Sequence, residues 1–241
     1  MTLEYVPLLK VQRDLYDLPR GMERFRAYIQ TMTRGSDELK LPLVAMNPMG
    51  KDHLPPFLDH LLAIDADGIG ARALAEAAST LTDQPGDYRA CLVVSDDLKG
   101  GWTNRYADEF SYRFEQRAYY RRGWLAAILW TSETYDAALV REEVLQNVYR
   151  VVHVERRGPA RTLGEMLAQE CYVMRSAGST VPHLEDDDLS YTREVLREHT
   201  SATDRATLIA ALFGDVAARA LGYQPLGLSP RAGLALAAAG L

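Results

Sequence analysis

The stretch Arg89-Ala90-Cys91-Leu92-Val93-Val94-Ser95 decides the fold, because it has the pattern of a strand that is buried on both faces. Its apolar run is continuous and is bounded by polar residues, as is typical of strands in parallel sheets. Two further apolar runs flank it, over residues 41–46 and 124–130. Helical patterns separate the three runs, and this alternation predicts parallel βαβ units with right-handed crossovers.

The order of these runs predicts the fold class and the domain organisation. We predict an α/β three-layer sandwich with a small, mainly parallel sheet of roughly three to five strands and extra C-terminal helices. The α/β core with an N-terminal helix takes residues 1–158, and a helical extension packed on that core takes residues 159–241. The alternative is one single domain, since a chain of 241 residues falls between the usual lengths of one domain and two.

Helix signals lie on both sides of the strands. Pro19 and Gly35 predict the start and the end of a first helix, with Met22, Phe25, Ile29 and Met32 on its apolar face. Further helices are predicted over residues 55–62, 67–81, 103–122, 162–175, 190–199 and 204–221. Two more are predicted by their starts alone: one is capped by Thr131 or Ser132, and one begins at residue 230.

Charge and cysteine content exclude some partners and compartments. The chain has 27 Lys and Arg against 33 Asp and Glu, a net charge of -6. Nucleic acids and anionic membranes both attract a positive surface, so we expect neither as a partner. Cys91 and Cys171 lie among apolar neighbours and predict packed, reduced thiols in a cytoplasmic protein. The uncharged residues 232–241 are too few to span a bilayer.

Polar residues follow each of the three predicted strands. In open α/β sheets, ligands bind beyond the carboxyl ends of the strands, so these loops should meet at one edge. The three sets are Asn47, Lys51, Asp52 and His53; Asp96, Asp97, Lys99, Gly100, Gly101, Trp102, Thr103, Asn104 and Arg105; and Thr131, Ser132 and Glu133.

The second loop has the features of an anion-binding loop. Gly100 and Gly101 allow a close backbone approach, and Thr103 can cap a helix whose first N–H groups favour an anion. Lys99 and Arg105 add positive charge nearby. We therefore expect a phosphate or carboxylate ligand at this loop. The alternative is a tight strand-to-helix turn whose glycines serve the turn geometry alone.

Several of these side chains suit acid–base chemistry. Histidine is the side chain best suited to proton transfer near neutral pH, so His53 could move protons with Asp52 beside it, unless it is an ordinary surface residue. Asp96 and Asp97 could hold Mg²⁺ or position a hydroxyl, unless they are solvated loop residues. Glu133 is either a third carboxylate of this site or an acid in the first turn of a helix. The sequence identifies no cofactor.

Three functions are compatible with these features. The first is an enzyme that binds a small anionic metabolite at the carboxyl end of the sheet. The second is a non-catalytic ligand-binding or scaffold protein that forms a homo-oligomer through the aromatic-rich residues 102–130 or the apolar C-terminal tail. The third is a nucleotide- or S-adenosylmethionine-dependent transferase that uses Gly68 and Gly70 as a dinucleotide loop, although the match to that motif is incomplete.

Overall fold

The fold is α/β with additional C-terminal helices, as the sequence predicts. The structure is a computed structural model, and it describes residues 1–98, 103–179 and 182–240. Its sheet consists of β1 (Thr2–Tyr5), β2 (Asp87–Ser95) and β3 (Trp124–Trp130), in that spatial order and all parallel. No helix within these residues combines the length and the hydropathy that crossing a bilayer requires.

Helices account for most of the remaining structure. Those before β2 are α1 (Leu9–Leu15), α2 (Met22–Thr33), α3 (Leu54–Ala63) and α4 (Ala66–Thr80). Those after β2 are α5 (Arg105–Phe114), α6 (Arg117–Arg121), α7 (Ala137–Arg157), α8 (Leu163–Ala177), α9 (Asp186–Arg197), α10 (Arg205–Phe213), α11 (Asp215–Ala220) and α12 (Ala232–Ala238).

The pairing of β2 with β3 forms the centre of the sheet. It runs over seven consecutive positions, from Arg89↔Trp124 to Ser95↔Trp130. Every residue of β3 is buried, and so are the last six of β2. Both strands were predicted from their continuous apolar runs. The reason is that a strand covered on both faces needs apolar side chains at every position rather than at alternate ones.

The first strand lies at the N-terminus and not over residues 41–46, so that prediction is wrong. Leu43–Ala45 is a 3-10 turn preceded by Pro42, which has no N–H to donate to a strand partner. β1 has only four residues and half-exposed side chains, so its sequence pattern is weak. The residues that follow the 3-10 turn, Asn47 to His53, therefore do not follow a strand.

Gln12 extends the pairing of β2 beyond the end of β1. β1 pairs with β2 only as far as Tyr5↔Ala90. Past that point the buried Gln12 side chain on α1 donates from Nε2 to the Leu92 carbonyl at 3.0 Å and accepts from the Val94 N–H at 2.8 Å. One amide side chain thus replaces the missing strand partner, because buried backbone groups require hydrogen bonds.

The buried face of α2 also differs from the prediction. Of the predicted face Met32 is buried, but Met22 and Ile29 are exposed, and the other buried residues are Arg24 and Tyr28. Arg24 is accommodated because its Nε donates to the Leu18 carbonyl at 2.8 Å. Hydrophobic spacing alone selects the wrong face here, since it cannot register a guanidinium that is satisfied by backbone carbonyls.

Two helices that were predicted as continuous are interrupted. The predicted helix over residues 103–122 is divided into α5 and α6. The one over residues 204–221 is divided at Gly214, which has φ 81° and ends α10 before α11 begins. A positive φ at Gly214 reverses the chain where a residue with a Cβ would be strained. The predicted cap of α7 is displaced too, because Asp136 rather than Thr131 or Ser132 accepts from the N–H of Leu139, at 2.9 Å.

The chain divides into two compact units. The first, which we call the sheet unit, comprises Met1–Asn104 and Arg117–Val148. The second, the helical unit, comprises Arg105–Gln116 and Tyr149–Leu241. The domain boundary predicted after residue 158 stays a prediction.

The helical unit has a hydrophobic core of its own, built from α5, α8, α9, α10 and α12. The described part of the apolar C-terminal tail belongs to this core, because Ala232, Leu234 and Leu236 of α12 are buried in it. α12 approaches α10 closely: a Cβ at Gly233 would lie 2.9 Å from the Cα of Leu212, which is too near for a side chain.

Buried ion pairs connect the helices of this unit. The Glu170 carboxylate is fully buried and receives Arg150 at 3.0 Å and Arg113 at 2.5 Å. Burial by itself would raise the pKa of Glu170, but the charges of Arg150 and Arg113 outweigh it and lower the pKa to about 2. Glu109 receives Arg105, Arg113 and Arg231, and its pKa is likewise held well below its usual value. Both carboxylates are therefore ionised at neutral pH.

The role of Gln12 predicts a loss of stability on substitution. Gln12→Leu keeps the apolar bulk but leaves the Leu92 carbonyl and the Val94 N–H without a partner, at a cost of about 2–4 kcal/mol for the two groups. Urea denaturation followed by circular dichroism measures the free energy of unfolding. Gln30→Leu, on the exposed side of α2, is the control and should change it by less than about 0.5 kcal/mol. Equal effects of the two variants would contradict the bridging role.

The buried ion pairs predict a pH dependence. The pKa of Glu170 lies below its ordinary value of 4.5, so the stability it supplies is complete above pH 4.5 and is lost as the pH falls toward 2. Glu170→Gln should cost roughly 3–5 kcal/mol at pH 7, because two buried guanidinium groups lose their carboxylate. Urea denaturation at pH 7, 4.5 and 3 should show the gap between wild type and variant narrowing on the acid side. Glu194→Gln, exposed on α9, should leave the wild-type pH profile unchanged.

Candidate functional site

The carboxyl ends of β2 and β3 bring Asp96 next to Thr131. Pairing of the two strands ends at Ser95↔Trp130, and the N–H of Thr131 still donates to the Ser95 carbonyl at 3.1 Å. The two residues that follow the strands are therefore neighbours. The Thr131 hydroxyl lies 3.2 Å from Oδ1 of Asp96 and 3.1 Å from Oδ1 of Asp97, and it donates its single proton to one of them.

Asp96 is the centre of the site. Its side chain is only 2% exposed. Oδ1 accepts from the N–H of Leu98 at 3.3 Å and lies 2.7 Å from Nε2 of His53, while Oδ2 accepts from Nδ2 of Asn47 at 3.5 Å. Buried carboxylates need such donors, because an unpaired charge is costly away from water. Residues from all three predicted loops thus surround one carboxylate.

Asn47 and His53 contact Asp96 although neither residue directly follows a strand. The Asn47 side chain accepts from the N–H of Met49 at 3.0 Å, which closes the turn after the 3-10 segment. The carbonyl of the same residue accepts from the Tyr16 hydroxyl of the segment after α1 at 2.6 Å. His53 immediately precedes α3, whose inner face is anchored by the buried Leu54 and Leu58.

The two ring nitrogens of His53 have different environments. A carboxylate oxygen accepts hydrogen bonds, so Nε2 carries the hydrogen that points to Asp96, and in the neutral ring Nδ1 then holds the lone pair. Nδ1 is buried and has no hydrogen-bond partner among the described residues. A buried polar atom without a partner is rare in folded proteins. In the neutral ring this nitrogen is a base that can take up a proton.

Asp97 joins the loops after β2 and β3. Its Oδ1 accepts from the N–H of Ser132 at 2.9 Å, and its Oδ2 accepts from the hydroxyl of the same residue at 2.6 Å. Its own N–H donates to Thr131 at 3.1 Å. Asp97 therefore fixes the distance between the two loops and does not point its carboxylate at His53.

The other predicted residues are arranged differently. The carboxylate of Glu133 accepts from the Tyr135 hydroxyl at 3.1 Å. Lys51 and Asp52 are exposed, and their side chains have no hydrogen-bond or ion-pair partner in the described ranges. Thr103 and Asn104 are partly exposed. The remaining residues of the second predicted set, Lys99, Gly100, Gly101 and Trp102, lie outside the described residues.

Arg105 does not belong to the same unit as His53. It opens α5 of the helical unit, and its Nε donates to Glu109 at 2.9 Å. The predicted metal site has no further ligand either: among the described residues no group of three His, Cys, Asp or Glu side chains is positioned to hold an ion.

Tyr16 also supports this site, through its hydrogen bond to the Asn47 carbonyl, although the sequence patterns above do not identify it. Burial raises the pKa of its hydroxyl, and the negative charge of Asp96 raises it further. Tyr16 therefore stays protonated and keeps donating to the carbonyl of Asn47. Tyr16 lies one turn after the buried Gln12, directly past the end of α1. That helical spacing is the sequence signal that could have identified it.

No protein-family model matches this chain, and no curated protein or solved structure is significantly similar to it. What the site can do follows from its own groups. These are a buried carboxylate, an imidazole with one paired and one unpaired nitrogen, and a hydroxyl that connects two loops.

The bridging hydroxyl of Thr131 gives a testable expectation. Thr131→Val keeps the shape of the side chain but removes a buried hydrogen bond to a carboxylate, which should lower the free energy of unfolding by about 1–3 kcal/mol. Thr131→Ser retains the hydroxyl and is the matched control. Urea denaturation should rank wild type above the Ser variant and the Ser variant above Val. A Ser variant as unstable as Val would mean that the methyl group and not the hydroxyl carries the effect.

Proposed function

We propose that this chain is an enzyme that binds a small ligand at the carboxyl end of its sheet and uses His53 to transfer a proton. The observation that carries the proposal is the environment of the His53 ring, with Nε2 bonded to a buried carboxylate and Nδ1 buried and unpaired. A histidine fixed in this way by a carboxylate is a common general acid–base group.

Each group has a defined role in this proposal. Asp96 accepts the Nε2 hydrogen, fixes the ring orientation and stabilises the positive charge that forms when Nδ1 takes a proton from the ligand. Asn47 and Thr131 hold the Asp96 carboxylate in place. Because Nδ1 is buried, the exposed turn at Asp52 has to open for the ligand or a water molecule to reach it.

The anionic character of the ligand is the less supported part of the proposal. The described residues of this site include four carboxylates, Asp52, Asp96, Asp97 and Glu133, against one lysine, Lys51. An anion would depend on Lys51, on Lys99 and on the backbone N–H groups of Gly100 and Gly101. Proton transfer depends on His53 and Asp96 alone, and it has the stronger support.

The alternative functions have less support. Gly68 and Gly70 lie in the first turns of α4, and α3 rather than a strand precedes them, so they do not form a dinucleotide loop. A Cβ at Gly70 would lie 2.7 Å from the ring of Tyr5, which explains this glycine by packing. Residues 232–237 of the tail are buried in the core of their own unit, which leaves less apolar surface there for oligomer formation.

Hydrolysis of p-nitrophenyl acetate, a small ester on which an available imidazole acts directly, tests the proposal. His53→Gln should lower the rate at pH 7 by at least about tenfold. This threshold lies below the roughly hundredfold that general acid–base groups contribute at the low end. Asp96→Asn should lower it as well, because the ring loses the acceptor that orients it. His183→Gln, exposed in the helical unit, is the matched control and should have the wild-type rate.

Two outcomes separate the parts of the proposal. If His53→Gln and His183→Gln hydrolyse the ester equally fast, His53 is not the reactive group and the proposal fails. In a separate experiment, inorganic phosphate and acetate are added to the wild type as competitors of the ester. Competitive inhibition supports an anionic ligand, whereas an unchanged rate restricts the proposal to proton transfer on a neutral one.

A further inference from the structure

The helical unit contains a cavity of about 590 Å³ that the proposed function does not use. It lies where α7 ends and α8 begins, and Arg157, Pro159 and Tyr172 are among the residues that line it. Clefts of this volume are typical of sites for small organic ligands.

The cavity is lined by more positive than negative charge. Arg156 and Arg157 are both exposed at its wall, and Arg157 has no carboxylate partner within the described ranges. Burial lowers the pKa of His153, and the charge of Arg157 lowers it further, so this imidazole is neutral at pH 7. Arg156 and Arg157 are therefore the cations that face the cavity.

Glu165 is the one carboxylate among the residues that line the cavity. Its Oε2 accepts from the N–H groups of Arg161 at 2.7 Å and Thr162 at 3.1 Å, as part of a capping box at the start of α8. These hydrogen bonds lower the pKa of Glu165 and tie its charge to the helix terminus. The Glu165 carboxylate is therefore held at the helix terminus and does not pair with Arg157.

Other residues that line the cavity are apolar or aromatic. Tyr172 contacts His153 with ring centroids 5.4 Å apart and meets Tyr149 edge-on at 6.4 Å. Pro159 and Ala168 line the cavity as well. Aromatic rings held by neighbouring rings lose little conformational freedom when a ligand binds, which makes them good contact surfaces.

A second cavity of about 420 Å³ continues from the first along the outer side of α8. The two share Ala168 and Tyr172, and the second adds Cys171 and Arg175. Arg175 is exposed and has no ion-pair partner in the described part of the chain. A ligand longer than one ring can thus extend from Arg157 past Tyr172 toward another cation.

From this arrangement we propose that the two cavities form a binding site for a small organic anion, with Arg156 and Arg157 holding its phosphate or carboxylate group and Tyr172, Pro159 and Ala168 contacting its apolar body. A phosphate and a carboxylate both accept the paired N–H groups of guanidinium. The site lies wholly within the helical unit and is independent of His53.

Isothermal titration calorimetry of the full chain with phenyl phosphate tests the site, because this compound joins a phosphate to an aromatic body. Wild type should bind it saturably. Arg157→Gln should weaken binding about tenfold, the effect of losing one charge-assisted hydrogen bond. Arg193→Gln removes an exposed arginine of α9 outside both cavities and should stay within about twofold of wild type.

Further variants and ligands separate the two halves of the site. Ala168→Trp fills the space that the cavities share without changing charge, and it should weaken binding by a similar factor. Benzoate in place of phenyl phosphate distinguishes carboxylate from phosphate, and binding of either supports the site. His53→Gln should leave binding unchanged, so failure here and failure of the proposed function are distinguishable.

Four results would contradict the proposed anion site. The proposal fails if wild type shows no saturable heat with phenyl phosphate or benzoate, or if Arg157→Gln binds as tightly as Arg193→Gln. It fails also if phenol binds as tightly as phenyl phosphate, because the arginines would then have no role. Inorganic phosphate that binds as tightly as phenyl phosphate would remove the role of Tyr172 and overturn the site as described.

Discussion

The parallel pairing of β2 with β3 is the constraint on which the candidate site depends. Seven consecutive residue pairs place Ser95 opposite Trp130, and the next residue of each strand is then a polar one, Asp96 or Thr131. Register is fixed because β3 and the last six residues of β2 are buried, so a slip by one residue would move each of these side chains to the other face. The distance between the Asp96 carboxylate and the Thr131 hydroxyl follows from that register.

The two units satisfy their buried polar groups in different ways. In the sheet unit, single side chains such as Gln12 and Asp97 bond to backbone groups, and one imidazole nitrogen, Nδ1 of His53, is left without a partner. In the helical unit, arginine–glutamate pairs around Glu109 and Glu170 hold helices that are far apart in the sequence. Arg157 at the α7–α8 cavity differs from these arginines, since it lines the cavity and pairs with no carboxylate among the described residues.

Much of the fold could be predicted, and the errors have identifiable causes. β3 was predicted at its exact position and β2 over its last seven residues, because a strand buried on both faces has a continuous apolar sequence. The sequence does not reveal β1, because four half-exposed residues carry little pattern, and residues 41–46 wrongly predict a strand because the 3-10 turn they contain is equally apolar. For the site, the loops that hold Asn47, His53 and Asp96 were identified as neighbours, whereas Tyr16 was not.

By itself, the sequence determined the α/β class, two of the three strands and the set of polar residues around the carboxyl end of β2, since these depend on local composition and order. Only the tertiary structure decided which carboxylate His53 contacts: it is Asp96, at 2.7 Å, and not the adjacent Asp52, which is exposed. It also decided that the face of α2 carrying Arg24 is buried. Both depend on which distant groups can supply hydrogen bonds, and adjacency in the chain does not encode that.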